Sequence, residues 1–279
     1  MKLRLCYNLS MILWWNNPEL DSGFTLVEVM IFLAVSSLML GSGVVAISGR
    51  RAAAELTTSV HDFESRIQDL ANDVSTGNYA ASGAFGCQAS GSTIRINSTP
   101  TPTGTNKDCI LVGQLIAFDK LATDSGSITV ASLAGLRTDP LNGMEVTSMK
   151  KASPQPITNG ATESIGPLQI KKVTYNNGAG DVNVTAIALV TTFGKYASSA
   201  LSSSDISVDI MPLDTSGPVS NIFAPNNINT ALSALSAVIN PSGGVAICVE
   251  GGNNKKATIG LGTNGGTMTT SLVFGVAPC

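Results

Sequence analysis

The sequence lacks most of the side chains on which enzymes depend. Among its 279 residues there is one histidine, His61, and charged and aromatic residues make up only 13% and 5%. Without a second histidine, a zinc site lacks ligands of the usual spacing, and His61 is interpreted as a solvated residue on a helix face. The formal net charge of −3 argues against a dedicated nucleic-acid-binding domain, because such domains are usually basic.

Motifs of enzymatic chemistry are also missing. The sequence has no Gly-x-Ser-x-Gly element and no phosphate-binding loop that ends in Gly-Lys-Ser/Thr. The glycine-rich stretches 251–256 and 260–266 are interpreted as hairpin turns, and the loop 176–181 has too few carboxylates to indicate a calcium site. We therefore expect a protein that is not an enzyme and that binds no metal or cofactor.

Basic residues occur partly as three lysine pairs, Lys150–Lys151, Lys171–Lys172 and Lys255–Lys256. A folded surface that gathered all three pairs would be a credible site for nucleic acid. We interpret them as dispersed, solvated lysines, so that nucleic acid stays an alternative partner that the charge balance disfavours.

Five cysteines are present, one of which, Cys6, lies near the N-terminus. The other four, Cys87, Cys109, Cys248 and Cys279, predict two disulfides in a chain of exported type. Pairing of Cys87 with Cys109 and of Cys248 with Cys279 is favoured, because each bond then closes a single surface excursion. The other pairings, and buried free thiols, remain open.

What the sequence does contain is a long apolar run near its start. Residues 1–23 begin with Lys2 and Arg4 and resemble a targeting leader with a weak apolar core. From Phe24 to Ile47 the only formal charge is that of Glu28. Because roughly 20 apolar residues cross a bilayer as a helix, segment 24–47 is predicted to be a transmembrane helix, in which the Glu28 carboxylate is costly.

A second helical pattern covers residues 48–76. Its apolar residues recur at steps of three and four, which places them on one stripe of an amphipathic helix. The stripe contains Leu56, Val60, Phe63, Ile67, Leu70 and Val74. Gly77 suits the position just after a helix end. We expect the stripe, in particular its first five residues, to pack on a globular domain.

Residues 78–279 are predicted to form that domain, a β-rich globular head. Apolar or alternating segments between turn residues indicate strands: 92–96, 109–118, 127–133, 143–149, 169–175, 182–193, 207–213, 243–250 and 269–276. Segment 227–239 is a helical candidate, and 97–106 and 153–164 are interpreted as exposed loops. The predicted fold class is α+β, with a long N-terminal helix on a β-rich head.

The stretch "GFTLVEVMIFLAV" resembles the signature of the type IV prepilin family, which includes the type II secretion pseudopilins. Gly23, Phe24 and the phrase "TLVE", which ends at Glu28, match the family pattern. The resemblance covers residues 1 to about 76 and implies a type IV pilin-like fold. The leader is longer and more hydrophobic than in many members, and segment 24–47 lacks the proline that many pilins have. The head is more loosely similar to GspH/FimT-type minor pilins, through "CILVG" and the terminal "AIC…APC".

The resemblance implies a processing and assembly route. Prepilin peptidase would cut between Gly23 and Phe24 and methylate the new amine of Phe24. The subunit would be a single-pass protein of the cytoplasmic membrane, in contact with lipid. An inner-membrane assembly platform would then add it to other pilin subunits in an extracellular or cell-surface filament.

Glu28 has a use in such a filament. Its carboxylate would pair with the N-terminal amine of a neighbouring subunit and set the register of assembly, a known role of buried polar groups. The alternative is an interfacial glutamate whose side chain reaches the lipid headgroups.

The sequence therefore predicts a structural subunit, a minor rather than a major pilin of a type IV pilus because the head is large. The alternatives are a type II secretion pseudopilin and a filament-tip pilin that binds DNA or a surface ligand. A monomeric membrane-anchored enzyme is disfavoured by the missing motifs.

Overall fold

The computed structural model describes residues 24–77, 86–91, 93–97, 108–118, 126–157, 160–191, 207–213, 244–264 and 267–275. The side chains of residues 43–50, Asn97, Asn253 and Asn264 are outside this description. The predicted leader 1–23, the helical candidate 227–239 and nearly all of the predicted loop 97–106 lie outside the described residues.

The chain divides into two compact units, Met1–Arg50 and Arg51–Cys279. Helix α1 (Leu26–Thr76) contributes its first half to one unit and its second half to the other. The helix runs through Gly41 without interruption and ends before Gly77, whose φ of 71° is the left-handed conformation that suits glycine after a helix.

Between Phe24 and Leu40 of the first unit the large apolar side chains are exposed, with exposed fractions between 44% and 79%. Among the residues that the structure describes, no helix combines the length and the hydropathy needed to cross a membrane. The prediction of a transmembrane helix at 24–47 is therefore not confirmed.

The described part of the second unit contains a short helix, α2 (Met149–Ala152), and thirteen strands. The strands are β1 (Gly86–Ser90), β2 (Thr93–Asn97), β3 (Cys109–Phe118), β4 (Ser127–Leu136), β5 (Gln155–Pro156), β6 (Ala161–Ser164), β7 (Gln169–Asn176), β8 (Asp181–Asn183), β9 (Ala186–Thr191), β10 (Val208–Leu213), β11 (Val245–Gly251), β12 (Lys255–Asn264) and β13 (Thr267–Phe274).

These strands form three antiparallel sheets. β1 and β2 make a hairpin. A six-stranded sheet has the order β10-β9-β3-β4-β5, with β6 also paired to β4. A five-stranded sheet has the order β13-β12-β11-β7-β8.

The six-stranded sheet is covered on both faces. On β3, Ile116 and Phe118 face a core shared with α1 and the five-stranded sheet, whereas Leu115 and Ala117 face a second core. The hairpin β1–β2, α2 and Ile157 contribute to that second core. Burial on both faces explains why β3 is a nearly continuous apolar run in the sequence instead of an alternating one.

The second half of α1 buries its stripe against this head. Five apolar side chains are 0–5% exposed, namely Leu56, Val60, Phe63, Ile67 and Leu70, and Val74 is fully buried with them. The predicted α+β fold, with an amphipathic helix packed on a β-rich head, is confirmed.

Two segments were predicted wrongly between β4 and β7. Residues 143–149 are not a strand: the segment is irregular, with one isolated bridge between Glu145 and Thr138, and α2 begins at Met149. The predicted exposed loop 153–164 contains β5 and β6, and Gln155 is only 6% exposed. The polar composition of this loop concealed its pairing with β4.

Two further predictions, one of a strand and one of a turn, need correction. Segment 182–193 is not one strand, because the chain passes between the sheets at Val184, leaving β8 and β9 in different sheets. Gly260 lies inside β12, not in a turn. A Cβ at Gly260 would lie 2.5 Å from the hydroxyl oxygen of Ser271 across the strand pair, so glycine permits this close approach.

Candidate assembly site

The first turn of α1 is built by the residues on which assembly was predicted to depend. The backbone N–H of Glu28 donates to the backbone carbonyl of Thr25 at 3.0 Å and lies 3.3 Å from its hydroxyl oxygen. Thr25 therefore takes the N-cap position, and the spacing Thr-x-x-Glu is that of a capping box. Sequence reasoning missed this local role, although threonine three residues before a glutamate was its signal.

Glu28 thus has a stabilising position within its own helix. An acidic side chain in the first turn interacts favourably with the positive end of the helix dipole. Phe24 precedes this turn and is 79% exposed, whereas Gly23, on the other side of the predicted cleavage bond, lies outside the described residues.

The turn continues into a surface made almost entirely of exposed apolar side chains. Between Phe24 and Leu40, twelve large hydrophobic residues are exposed: Phe24, Leu26, Val27, Val29, Met30, Ile31, Phe32, Leu33, Val35, Leu38, Met39 and Leu40. Full burial of one such side chain is worth about 1.5–3 kcal/mol. An exposed apolar surface of this size indicates a site of interaction with lipid or protein.

In the second unit, an ion pair attaches α1 to the six-stranded sheet. Arg66 donates from Nε and Nη2 to the two carboxylate oxygens of Glu163 on β6, at 2.8 and 2.6 Å. The hydrogen bond to this carboxylate raises the pKa of Arg66 above its usual value, more than partial burial lowers it. The two-pronged geometry fixes the position of the helix as well as its charge.

A polar network attaches the same helix to the five-stranded sheet. Gln68 donates to the hydroxyl of Thr270 on β13 at 2.7 Å, and that hydroxyl donates to the carboxylate of Glu64. Glu64 also lies 3.3 Å from Nδ1 of His61, whose ring is 6.3 Å from that of Phe274. His61 is exposed and belongs to this packing network, in agreement with its interpretation as a helix-face residue.

A half-open cavity of about 250 Å³ lies beside the ion pair. Its lining includes Asp62, Phe63, Arg66, Ile128 and Glu163. It contains neither histidine nor cysteine, and its one basic group is already bound to Glu163.

Among the described residues, no group of three or more histidine, cysteine or acidic side chains could hold a metal ion. In the loop 176–181 the side-chain oxygens of Asn176 and Asn177 accept hydrogen bonds from the backbone of Gly178 and Gly180, at 2.8 and 3.0 Å. These oxygens therefore serve the turn itself.

The cysteines stabilise the head. Cys87 of β1 and Cys109 of β3 form a disulfide, with their Cα atoms 6.2 Å apart, which is the local pairing that the sequence favours. Cys248 on β11 is also disulfide-bonded. Its predicted partner, Cys279, lies outside the described residues, as does Cys6.

The lysine pairs are not gathered on one sheet. Lys171–Lys172 on β7 and Lys255–Lys256 on β12 lie at the same end of the five-stranded sheet, with Glu250 of β11 opposite Lys256. Lys150–Lys151 lies on α2, which contributes to the second core on the other face of the six-stranded sheet. Two of the lysine pairs thus belong to one sheet and the third to a separate element.

Residues 20–44 match the prokaryotic N-terminal methylation motif, the signature of type IV prepilins. This motif is that of type IV pilins and pseudopilins, which prepilin peptidase processes. No curated protein and no solved structure matches the chain significantly. The loose similarity of the head to GspH/FimT-type minor pilins is not confirmed.

Proposed function

We propose that this protein is a structural subunit, a minor pilin, of a type IV pilus. It is cut between Gly23 and Phe24, methylated at the Phe24 amine and held in the cytoplasmic membrane by segment 24–47 until an assembly platform adds it to the filament. The observation that carries the proposal is the exposed apolar surface of residues 24–40, which directly follows the predicted cleavage bond.

The physical reason lies in where this surface can be buried. Its side chains are 44–79% exposed in the isolated chain, so their burial must come from lipid or from other protein chains. A bundle formed with the corresponding helices of other pilin subunits, in a homo- or hetero-oligomeric helical filament, buries all of them at once. The head, whose own stripe is already covered, is then displayed outward.

Glu28 supplies the register of this bundle. In the proposed filament its carboxylate lies beside the Phe24 amine of a neighbouring subunit, so that two charges that are costly in an apolar environment neutralise each other. Only one stagger of the helices achieves this pairing. The cap by Thr25, whose hydroxyl oxygen lies 3.3 Å from the backbone nitrogen of Glu28, places this residue in the first turn of the helix.

Replacement of Glu28 separates these two roles. Glu28→Gln keeps a residue that suits the third position of a capping box but removes the charge, whereas Glu28→Val removes both. We expect both variants to insert in the membrane and both to lose filament incorporation, on the order of ten-fold or more. Quantification of the subunit in sheared filaments, relative to its amount in the membrane, measures the effect.

The matched control is Thr25→Ala, which removes the cap and keeps the charge. It should weaken the first turn by about 1 kcal/mol and retain most incorporation. Normal incorporation of Glu28→Gln would show that the charge has no role in register.

A further inference from the structure

Strand β13 forms an open edge of the five-stranded sheet, and no other described strand pairs with its outer side. Its register with β12 is regular over eight residue pairs, from Ala257–Phe274 to Asn264–Thr267. The strand contains no charged residue and no proline. It therefore lacks the devices by which native sheets prevent an edge from pairing with another strand.

The opposite edge of the same sheet is protected. β8 has only three residues, Asp181–Asn183, and begins with a carboxylate that accepts a hydrogen bond from Asn176 at 3.3 Å. A short, charged edge offers little to a second strand. The two edges of one sheet thus differ in their capacity to pair.

The direction of the backbone groups follows from one hydrogen bond. The N–H of Gly275 donates to the carbonyl of Lys256 at 3.2 Å, so this pair is of the hydrogen-bonded type. Because such pairs alternate along antiparallel strands, Ser271 and Val273 bond to β12. The alternate residues of β13 direct their backbone N–H and C=O groups away from β12: Met268, Thr270, Leu272 and Phe274.

The edge is also held in position. On its inner side the Thr270 hydroxyl makes hydrogen bonds with Gln68 and Glu64 of α1. Near the end of the strand Val273 and Phe274 remain 54% and 44% exposed. A strand fixed in this way loses little conformational entropy when it pairs.

We propose that β13 is an association edge that pairs antiparallel with β13 of a second copy, around a two-fold axis at Ser271. In this register all four outward-directed residues find partners, Met268 with Phe274 and Thr270 with Leu272. The uncharged strand meets no like charge, and methionine beside an aromatic ring is a favourable contact. A second copy fits because this register brings every outward-directed residue opposite another one and places Met268 beside Phe274.

A two-fold contact closes on itself, so it joins heads in pairs and does not extend a chain of subunits. On filaments that display their heads, this contact links the heads of neighbouring filaments. This consequence rests on the proposed function. The pairing itself depends only on the head.

Single cysteines test the register in the full chain, in detergent. Ser271→Cys places two cysteines opposite each other in a pair without hydrogen bonds, where the Cα atoms are about 4.5 Å apart, within the range that a disulfide spans. Mild oxidation should yield a covalent dimer. Thr269→Cys or Val273→Cys alone should not cross-link, but an equal mixture of the two should, because Thr269 then faces Val273.

Absence of the Ser271→Cys dimer, or equal cross-linking of all three single variants, would overturn the proposal. Ser271→Lys supplies a measurement without oxidation. It brings two like charges together and should weaken dimerisation in sedimentation experiments by about five-fold, with recovery at high salt.

Thr174→Lys, on the same outer face but on β7, is the control and should not change dimerisation. An unchanged dimer of Ser271→Lys would also overturn the proposal. Since dimerisation is measured in detergent, a failure to find filaments would contradict the proposed function and leave the pairing of β13 intact.

Discussion

The two halves of helix α1 carry similar apolar side chains, but these are exposed in the first half and buried in the second. Phe32 in the first half is 71% exposed, whereas Phe63 in the second half is 3% exposed. In the second half, two sheets cover the apolar stripe, and the side chains of Arg66 and Gln68 attach the helix to them. Apolar composition therefore does not decide burial within this helix. The first half needs lipid or other chains, and the second half is complete within its own unit.

Truncation of one phenylalanine in each half is the strongest test of this comparison. Phe63→Ala removes a buried ring and should lower the free energy of unfolding of the head by about 3–5 kcal/mol. Phe32→Ala should leave that free energy unchanged and weaken filament incorporation instead. Hydrogen-exchange mass spectrometry of peptides from β3 and β11, with the full chain in detergent, measures head stability. Equal destabilisation of the head by the two variants would show that the two halves of α1 do not differ in their contribution to head stability.

The Cys87–Cys109 disulfide stabilises the head and has no counterpart in the described part of the first unit. Joint replacement of Cys87 and Cys109 by alanine frees a connection of 22 residues and should cost about 2–4 kcal/mol of head stability. Helix protection between Leu26 and Leu40 should not change. Cys6→Ala, in the predicted leader, is the control, and an equal loss in that variant would contradict the assignment.

The smallest effect is expected at the ion pair between α1 and β6. Arg66 and Glu163 are 39% and 32% exposed, so solvent weakens their attraction and Arg66→Gln should cost about 1 kcal/mol. Arg66→Lys keeps the charge but loses the two-pronged geometry and should recover only part of this loss. The effect should shrink at high salt. A loss as large as that of Phe63→Ala would show that the pair, and not the stripe, holds the helix.

Local patterns in the sequence predicted much of the fold. The stripe from Leu56 to Leu70, the helix end at Gly77 and the whole of β3 follow from spacing and turn chemistry alone. Each of these features is encoded within a few residues. The polar attachments of α1 are not, because Arg66 and Glu163 lie 97 residues apart and Gln68 and Thr270 lie 202 apart.

The errors share the same cause. β6 is a polar strand, and only its pairing with β4 identifies it as a strand. Gly260 is typical of a turn by its residue type, and the need for glycine becomes apparent only from Ser271, which faces it on β13. At the predicted assembly site the cleavage and pairing roles of Phe24 and Glu28 came from the resemblance. The cap by Thr25 is encoded locally, by a threonine three residues before Glu28, but it was not predicted.

In the proposed assembly, the exposed apolar helix becomes the core of a filament only after the residues before it are removed. Mass spectrometry of the N-terminal peptide of this subunit, isolated from sheared surface filaments, tests it most directly. We predict a mature chain that begins at Phe24, with one methyl group on its amine. A filament subunit that retains residues 1–23 would show that cleavage does not precede assembly.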